Sequence, residues 1–209
     1  MKLRFIITAG PTREHIDPVR FISNPSTGRM GFAVAAAAAR RGHDVVLVAG
    51  PVSLLTPKNV RRIDVISARD MLAAVQSSIK QSNDQTILIS TAAVADWRPK
   101  ETAAKKLKKS QMTGVLELER NPDILKTVTC CRKIGFAAET GDAVAEGQRK
   151  CREKGLDLIV ANDVTEKGAG FGVKTNRVTF ITPDGNVQRL PLLSKAAIGT
   201  RIVKFCENL

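Results

Sequence analysis

A polar turn that leads into an alanine-rich helix is the first stretch whose residue types could bind a ligand. In "RFISNPSTGRMGFAVAAAAARRG" (20–42), Ser26 or Thr27 is placed to cap a helix that we predict over 28–41. The free amide groups and the dipole at a helix start favour anions. Arg29 lies in that first turn, where the dipole disfavours a cation by about 0.3–1 kcal/mol unless an anion lies between them. The turn therefore predicts a phosphate or carboxylate site, and an exposed arginine screened by salt is the alternative.

Two stretches that follow predicted strands offer groups for a nucleotide. In "STAAVADWRPK" (90–100), small residues permit a close backbone approach, and Asp96 could hold a metal, a ribose or a positive group. "GFAAET" (135–140) offers Phe136 for stacking on a base and places Glu139 near the mouth of such a site. Taken alone, the first stretch is equally compatible with a structural loop.

Lysines supply a further group of candidate phosphate ligands. "KKLKK" (105–109) has four lysines in five positions, which suits either a mobile clamp on a polyphosphate or a solvated surface segment. Lys150 and Lys154 lie four residues apart on a predicted helix and therefore share one face. "NPDIL" (121–125) starts a helix with its asparagine as N-cap and its proline at the first position, which needs no ligand to explain it.

Predicted strands and helices alternate along the chain. We predict strands over 3–10, 44–50, 61–67, 86–91, 114–120, 132–138 and 156–162, and helices over 28–41, 68–81, 122–131, 142–154 and 194–209. Two alternating segments around Pro183-Asp184-Gly185 predict a β-hairpin. This order predicts one α/β domain over 1–209, with a Rossmann-like doubly wound, mostly parallel sheet and a C-terminal β-hairpin. Ligands of such sheets bind at the carboxyl ends of the strands, where the candidate residues lie.

The composition narrows the functional class. A formal net charge of +13 favours anionic ligands: nucleic acid, an anionic membrane or small phosphorylated molecules. Aromatic residues make up only 4%, which leaves few stacking platforms for single-stranded nucleic acid. No apolar run has the length of a membrane helix, and the start is too short and strand-like for a signal peptide, so we expect a cytoplasmic protein. The four cysteines form no CxxC pair and should be reduced structural thiols, and we expect His43 in a surface turn.

The first strand-to-helix crossing argues against an NAD(P)-dependent oxidoreductase. Such enzymes carry G-x-G-x-x-G there, with an acidic residue about 20 residues further on. This crossing holds only "GRMG" (28–31), and the second predicted strand ends in "AGP" (49–51) without an acid. An oxidoreductase and a basic nucleic-acid-binding module are the alternatives to an enzyme acting on small phosphorylated molecules.

The motifs in their order resemble one enzyme family. With "TAGPTREHIDPVRFISNPSTGRMG", "AAVADWRPK", "KKLKK", "NPDIL", "GFAAET" and "LDLIVANDV", the chain is similar over essentially all 209 residues to the phosphopantothenate-cysteine ligases (phosphopantothenoylcysteine synthetases) of bacterial coenzyme A synthesis. The resemblance implies that the carboxylate of 4′-phosphopantothenate attacks the α-phosphorus of CTP, giving an acyl-cytidylate and pyrophosphate. The amine of cysteine then displaces CMP to form the amide. Alignment and charge stabilisation, without a protein nucleophile, suit this chemistry.

The resemblance also implies roles for individual residues. Asn24 would contact the acyl group, with Arg20 in the same loop, and Gly28 and Arg29 would contribute to binding the substrate. Lys106 would reach the nucleotide phosphates and take part in catalysis with Asn24. The residues implied to bind the nucleotide are Ser90, Thr91, Ala92, Asp96, Lys106, Pro122, Asp123, Ile124, Leu125, Phe136, Lys150 and Lys154.

Cofactor and assembly are likewise implied by the resemblance. Mg²⁺ would accompany CTP, and two copies of the chain would form a homodimer whose active site is closed partly by the neighbouring subunit. The expected partners are then small molecules, with no nucleic acid and no membrane. Pro25 and Arg29 depart from the family pattern, where a polar residue and a lysine are usual; arginine keeps the charge but changes its geometry. ATP in place of CTP, and a fusion to an upstream flavin-dependent decarboxylase, stay open because relatives of each kind exist.

Overall fold

The structure is a computed structural model that describes residues 1–80, 85–108, 114–129, 131–139, 142–163, 165–166, 168–170 and 172–209. Its strands are β1 (Arg4–Ala9), β2 (Arg13–His15), β3 (Phe21–Ser23), β4 (Asp44–Ala49), β5 (Arg61–Asp64), β6 (Thr86–Ser90), β7 (Trp97–Pro99), β8 (Leu118–Arg120), β9 (Arg132–Glu139), β10 (Leu158–Asp163), β11 (Thr175–Asn176), β12 (Thr179–Ile181), β13 (Val187–Arg189) and β14 (Leu193–Ser194). Its helices are α1 (Arg29–Arg40), α2 (Ala68–Lys80), α3 (Ile124–Thr127), α4 (Ala143–Lys154) and α5 (Lys195–Glu207). Within these residues, no helix has both the length and the apolar character that crossing a bilayer requires.

An eight-stranded sheet with the order β13-β12-β10-β9-β6-β1-β4-β5 is the centre of the fold. The strands from β10 to β5 pair in parallel, and β12 and β13 pair antiparallel at one edge. β1, β4 and β6 are almost fully buried and rich in aliphatic residues, as parallel strands covered on both faces must be. The register pairs Thr8 with Ser90 and Ser90 with Gly135, so the carboxyl ends of β1 and β6 meet β9 at one edge. The predicted fold class is confirmed, including the hairpin β12–β13.

Helices cover both faces of this sheet. Phe5 and Ile7 of β1 pack in a core cluster with α1 and α5, whereas Ile6 packs in a second cluster with Met71 of α2 and Cys151 of α4. Successive side chains of a strand point to opposite faces, which accounts for this division.

The small side chains of α1 allow it to lie close to the sheet and to α5. A Cβ added at Gly31 would lie 2.6 Å from the Cβ of Ala9, and one added at Gly199 would lie 2.9 Å from the carbonyl atoms of Ala33. Side chains at these points would push the elements apart. The start of α1 is thereby held against the carboxyl end of β1.

The start of α1 differs from its prediction. Gly28 occupies the N-cap position with a φ of 75°, and no side chain caps the helix, so neither Ser26 nor Thr27 has the predicted role. A left-handed backbone favours glycine because a Cβ would clash there. Within the described residues, no side chain therefore caps the amide groups of the first turn.

The helix that begins in the "NPDIL" motif also differs from its prediction. The helix predicted over 122–131 is the single turn α3, and its N-cap is Asp123, whose carboxylate accepts a hydrogen bond from the backbone N–H of Lys126 at 3.2 Å, in place of Asn121. The β-branched run that begins at Thr127 disfavours continuing the helix.

Three two-stranded sheets lie outside the central sheet in the described residues: β2–β3, β7–β8 and β11–β14. Residues 11–27, between the first predicted strand and the first predicted helix, contain the antiparallel pair β2–β3. The strand predicted over 114–120 is confined to β8, which pairs with β7 and not with the central sheet. The guanidinium of Arg98 donates to Asn121 Oδ1 at 3.0 Å and pairs with Glu119 at 2.8 Å, which joins this ribbon to the start of the "NPDIL" segment.

His43 is buried, contrary to the expected surface role. It is 8% exposed, and its Nδ1 accepts a hydrogen bond from the backbone N–H of Leu3 at 3.3 Å. The ring proton must then lie on Nε2, which donates to Glu207 at 2.9 Å. Cys131, Cys151 and Cys206 are free thiols, as predicted, and Cys130 lies outside the described residues.

Candidate functional site

Two adjoining clefts open at the carboxyl edge of the sheet. The helix cleft, with the start of α1 as one wall, is lined by Ser26, Thr27, Gly28, Arg29, Met30, Gly31, Thr91, Ala92, Ala93, Phe136, Ala138, Asn162, Gly170, Asn176 and Lys195. The loop cleft is lined by Asn24, Pro25, Ser90, Ala92, Ala93, Val94, Ala95, Asp96, Asn121, Pro122, Asp123, Ile124, Leu125, Phe136, Ala138 and Lys154. Because Ala92, Ala93, Phe136 and Ala138 border both, the clefts form one continuous site.

The helix cleft is a cationic pocket at a helix start. Arg29 lies in the first turn of α1, which carries no acidic residue. Lys195, at the start of α5, is 6% exposed, and its Nζ donates to the backbone carbonyl of Gly170 at 2.9 Å. Burial, and then the nearby charge of Arg29, lower the pKa of Lys195. Two cations and the amides of α1 facing one cleft can bind a phosphate or a carboxylate.

The junction of the clefts is held by the amide of Asn24. Its Nδ2 donates to the carbonyls of Ala93 and Val94, both at 3.2 Å. Thr91 is fixed nearby, because its Oγ1 donates to the carbonyl of Thr8 at 2.7 Å. Phe136, half-buried, stands between the two clefts and offers an apolar ring to either.

Two of the residues that line the loop cleft form an ion pair. Lys154 Nζ lies 2.9 Å from an oxygen of Asp123. Burial alone would raise the pKa of Asp123, but the hydrogen bond and the charge of Lys154 outweigh it and lower that pKa. The second lysine on the same helix face, Lys150, pairs with Glu139 at 2.5 Å and lines neither cleft. A polyphosphate in the loop cleft would compete with carboxylates for these lysines.

The structure brings most of the predicted site residues together. Those that line the loop cleft are Asn24, Ser90, Ala92, Asp96, Pro122, Asp123, Ile124, Leu125, Phe136 and Lys154. Gly28, Arg29 and Thr91 line the helix cleft. Arg20 and Lys106 line neither; Arg20 pairs with Asp17, and Lys106 is exposed on the segment beside it. Lys109 lies outside the described residues.

Several residues that line the helix cleft were not predicted from the sequence. Asn162, 8% exposed, ends β10 at the same edge as the other candidates, so the rule that ligands bind where parallel strands end could have found it. Asn176 and Lys195 carry no such signal, because they follow the last parallel strand by more than ten residues. Lys195 reaches the cleft through the packing of α5 on α1, and Asn176 lies on β11, which pairs with β14 and contacts α5.

The carboxylates at the site fit a magnesium ion that is held mainly by phosphates. In the described part of the chain, no three His, Cys, Asp or Glu side chains are grouped as metal ligands. The loop cleft offers Asp96, while Asp123 is engaged by Lys154. Mg²⁺ commonly takes one or two carboxylates and completes its shell with substrate phosphates and water, which this donor set allows.

Comparisons with known proteins agree with the motifs. A sequence profile of the family "DNA/pantothenate metabolism flavoprotein C-terminal domain" matches residues 1–209. The "Coenzyme A biosynthesis bifunctional protein CoaBC" of Vibrio vulnificus (strain YJ016) is 48% identical, covering 98% of this chain and 52% of that protein. Its namesake in Bacillus subtilis (strain 168) is 49% identical, covering 95% and 50%. The chain thus spans about half the length of the curated relatives it matches.

Comparison with solved structures agrees with the match to this family. The crystal structure of the C-terminal domain of a CoaBC protein is 43% identical, with a TM-score of 0.82 and coverage of 99% of this chain and 94% of that chain. A Cab2 mutant in complex with phosphopantothenate-cysteine shares the fold, with 16% identity, a TM-score of 0.79 and coverage of 99% and 87%. On the full-length profile match and these identities, the chain belongs to the DNA/pantothenate metabolism flavoprotein C-terminal domain family.

Proposed function

We propose that residues 1–209 form a phosphopantothenate-cysteine ligase unit that uses CTP. The observation that carries the proposal is the continuous site: a cationic helix cleft and a loop cleft that share Ala93 and Phe136, with Asn24 of the loop cleft donating to the carbonyl of Ala93. Such a site can hold a phosphorylated acid in one arm and a nucleotide in the other, with their reacting groups at the junction. The names of the relatives, which are coenzyme A biosynthesis proteins, support the same reaction.

The loop cleft is the proposed nucleotide arm. Phe136 would stack on the base, and the small residues that follow β6 would allow the nucleotide to approach the backbone closely. Lys154 would exchange its partner Asp123 for a phosphate. Lys106 and Lys150 would approach the phosphates from outside the cleft.

The helix cleft is the proposed arm for 4′-phosphopantothenate. Gly28 and Arg29 would bind its anionic group at the start of α1. Asn24 would then lie beside the carboxylate at the junction of the clefts. Arg20 would contribute to substrate binding from the neighbouring hairpin.

The reaction needs alignment and charge stabilisation. A carboxylate oxygen of 4′-phosphopantothenate forms a bond to the α-phosphorus of CTP, and the bond to the pyrophosphate oxygen breaks. The amine of cysteine then forms a bond to the acyl carbon, CMP leaves, and the amine loses a proton. Negative charge increases at the phosphates in the first step, where cationic side chains lower the barrier. Mg²⁺, when bound, would neutralise phosphate charge, and Asp96 is its candidate protein ligand.

The proposal also includes the oligomeric state and the cellular location of the enzyme. A homodimer would close the site with a neighbouring subunit, and the enzyme would act in the cytoplasm on small molecules alone. Both statements rest on the resemblance to the ligase family.

The experiment that tests the proposal separates the half-reactions. The chain is mixed with CTP, 4′-phosphopantothenate and Mg²⁺, and pyrophosphate and CMP are measured before and after cysteine is added. We expect pyrophosphate with an acyl-cytidylate first, and CMP with the amide only after cysteine. ATP in place of CTP tests the choice of nucleotide. Folded protein that releases neither CMP from CTP nor AMP from ATP in response to cysteine would refute the proposed function.

A further inference from the structure

A buried carboxylate at the tip of the β2–β3 hairpin binds Arg20, a predicted substrate-binding residue that lines neither cleft. Asp17 is 0% exposed and accepts hydrogen bonds from the backbone N–H of Val19 at 2.8 Å and of Arg20 at 2.9 Å. The guanidinium of Arg20 also donates to it, from Nε at 3.0 Å and from Nη2. One carboxylate therefore closes the turn and fixes the direction of Arg20.

The same carboxylate reaches the lysine segment, which we define as residues 105–108. The backbone N–H of Leu107 donates to Asp17 at 3.2 Å, and the carbonyl of Leu107 accepts from Arg20 Nη2 at 3.1 Å. Both backbone polar groups of Leu107 are thus bound to this ion pair. The carbonyl of Lys106 belongs to the peptide unit that carries the Leu107 N–H, so its backbone is fixed with it.

Two further hydrogen bonds fix residues 102–103, which precede the lysine segment. Thr102 Oγ1 donates to the carbonyl of His15 at 3.0 Å, and the backbone N–H of Ala103 donates to the carbonyl of Ile16 at 3.0 Å. The chain from 102 to 107 therefore runs along the hairpin, while the side chain of Lys106 stays exposed. Contacts at both ends restrict where that side chain can reach.

Charge explains why a carboxylate is needed at this point. The segment that carries Lys105, Lys106 and Lys108 is bound to the guanidinium of Arg20 through the carbonyl of Leu107, so several positive charges share one part of the surface, and like charges repel. The Arg20 guanidinium, outweighing the effect of burial, holds the pKa of the Asp17 carboxyl well below its usual value. Asp17 therefore stays ionised at neutral pH and offsets one of the positive charges.

We propose that Asp17 is a positioning residue that presents Lys106 to the nucleotide phosphates by binding Leu107 and Arg20 together. The proposal rests on the proposed function. Asp17 touches no substrate; it acts through the backbone of the lysine segment. Its loss should therefore affect the step in which phosphate charge increases and leave the cysteine step largely unchanged.

A double-mutant cycle tests this coupling. Asp17→Asn keeps the shape and removes the charge, and Lys106→Gln removes the ammonium that it would position. We expect each substitution to slow single-turnover formation of the acyl-cytidylate by about 10- to 100-fold, since a misplaced group costs that much. The rate of the double variant should be within about threefold of the rate of the slower single variant, because the free-energy effects of two coupled sites do not add. The matched control is the double variant that combines Asp17→Asn with Lys154→Gln, in which the two fold-reductions in rate should multiply.

The outcomes separate positioning from a general structural role. The inference would be overturned if the fold-reductions in rate caused by Asp17→Asn and Lys106→Gln multiply in the double variant. It would also be overturned if Asp17→Asn slows the cytidylate step and the cysteine step equally. If Asp17→Asn does not fold, Leu107→Pro takes its place, since proline lacks the N–H that Asp17 binds and leaves the Arg20 pair intact; the same coupling is expected. Wild-type protein that forms no acyl-cytidylate would instead refute the proposed function, and this inference with it.

Discussion

Lys133 is a buried lysine that joins two elements bordering the loop cleft. It is 8% exposed, and its Nζ donates to the carbonyl of Leu125 in α3 at 3.0 Å and to the carbonyl of Lys154 at the end of α4 at 2.6 Å. Both acceptor residues line the loop cleft, although Lys133 itself does not. Replacing Lys133 with Met removes both hydrogen bonds and leaves an unbranched apolar side chain that is one heavy atom shorter.

The expected magnitude follows from these contacts. Hydrogen bonds to a charged donor contribute about 1.5–3 kcal/mol each, and a buried acceptor left without a donor costs about 1–3 kcal/mol. Burying a thioether in place of an ammonium offsets part of the loss, so we expect Lys133→Met to lower the free energy of unfolding by about 2–4 kcal/mol. For a chain of this size that corresponds to a fall in Tm of about 5–15 °C. The KM for CTP should rise, while the KM for cysteine changes little.

Thermal unfolding and steady-state kinetics check this prediction together. The matched control is Lys126→Met, which removes an exposed lysine from α3 and should change stability by less than about 0.5 kcal/mol. Equal stability of the two variants would show that the Lys133 hydrogen bonds contribute nothing net. A destabilised Lys133→Met with an unchanged KM for CTP would refute the link between this lysine and the cleft.

Three further predictions concern the site and the C-terminal helix. Asn24→Asp should form the acyl-cytidylate but slow its reaction with cysteine, because a new charge lies beside the acyl group; quenched single turnovers with wild-type rates in both steps would remove Asn24 from the site. Gly31→Ala should lower stability by about 1–3 kcal/mol and displace Thr91, since its Cβ would lie 2.5 Å from Thr91 Oγ1; an unchanged melt and structure would contradict this. The Arg41 guanidinium, against the effect of burial and helped by His43, lowers the pKa of Glu207 from 4.5 to about 2. Its stabilisation is full above pH 4.5 and is lost as pH falls towards about 2, so Glu207→Gln should flatten stability over that window in acid-unfolding curves.

Much of the sheet could be predicted from local sequence, because its strands are buried on both faces. Runs such as "LRFIITAG" and "DVVLVAG" contain too few polar residues to face water, so their burial follows from composition alone. The rule that ligands bind at the carboxyl ends of parallel strands then indicated Asp96 and Phe136, which both line the loop cleft. Short elements were predicted poorly. α3 and the β7–β8 ribbon are stabilised by contacts of Asp123 and Arg98 that no periodicity reveals.

The sequence by itself determined the class of sheet, and it predicts a site at the carboxyl edge for an anionic ligand, since these inferences depend on local polarity and on the count of charges. Tertiary structure alone decided which charges act together. Lys195 enters the helix cleft only because α5 packs on α1, and Asp17 meets Leu107 although 90 residues separate them along the chain. Pairing over such distances depends on how the elements pack in three dimensions, and no local pattern of residues encodes it.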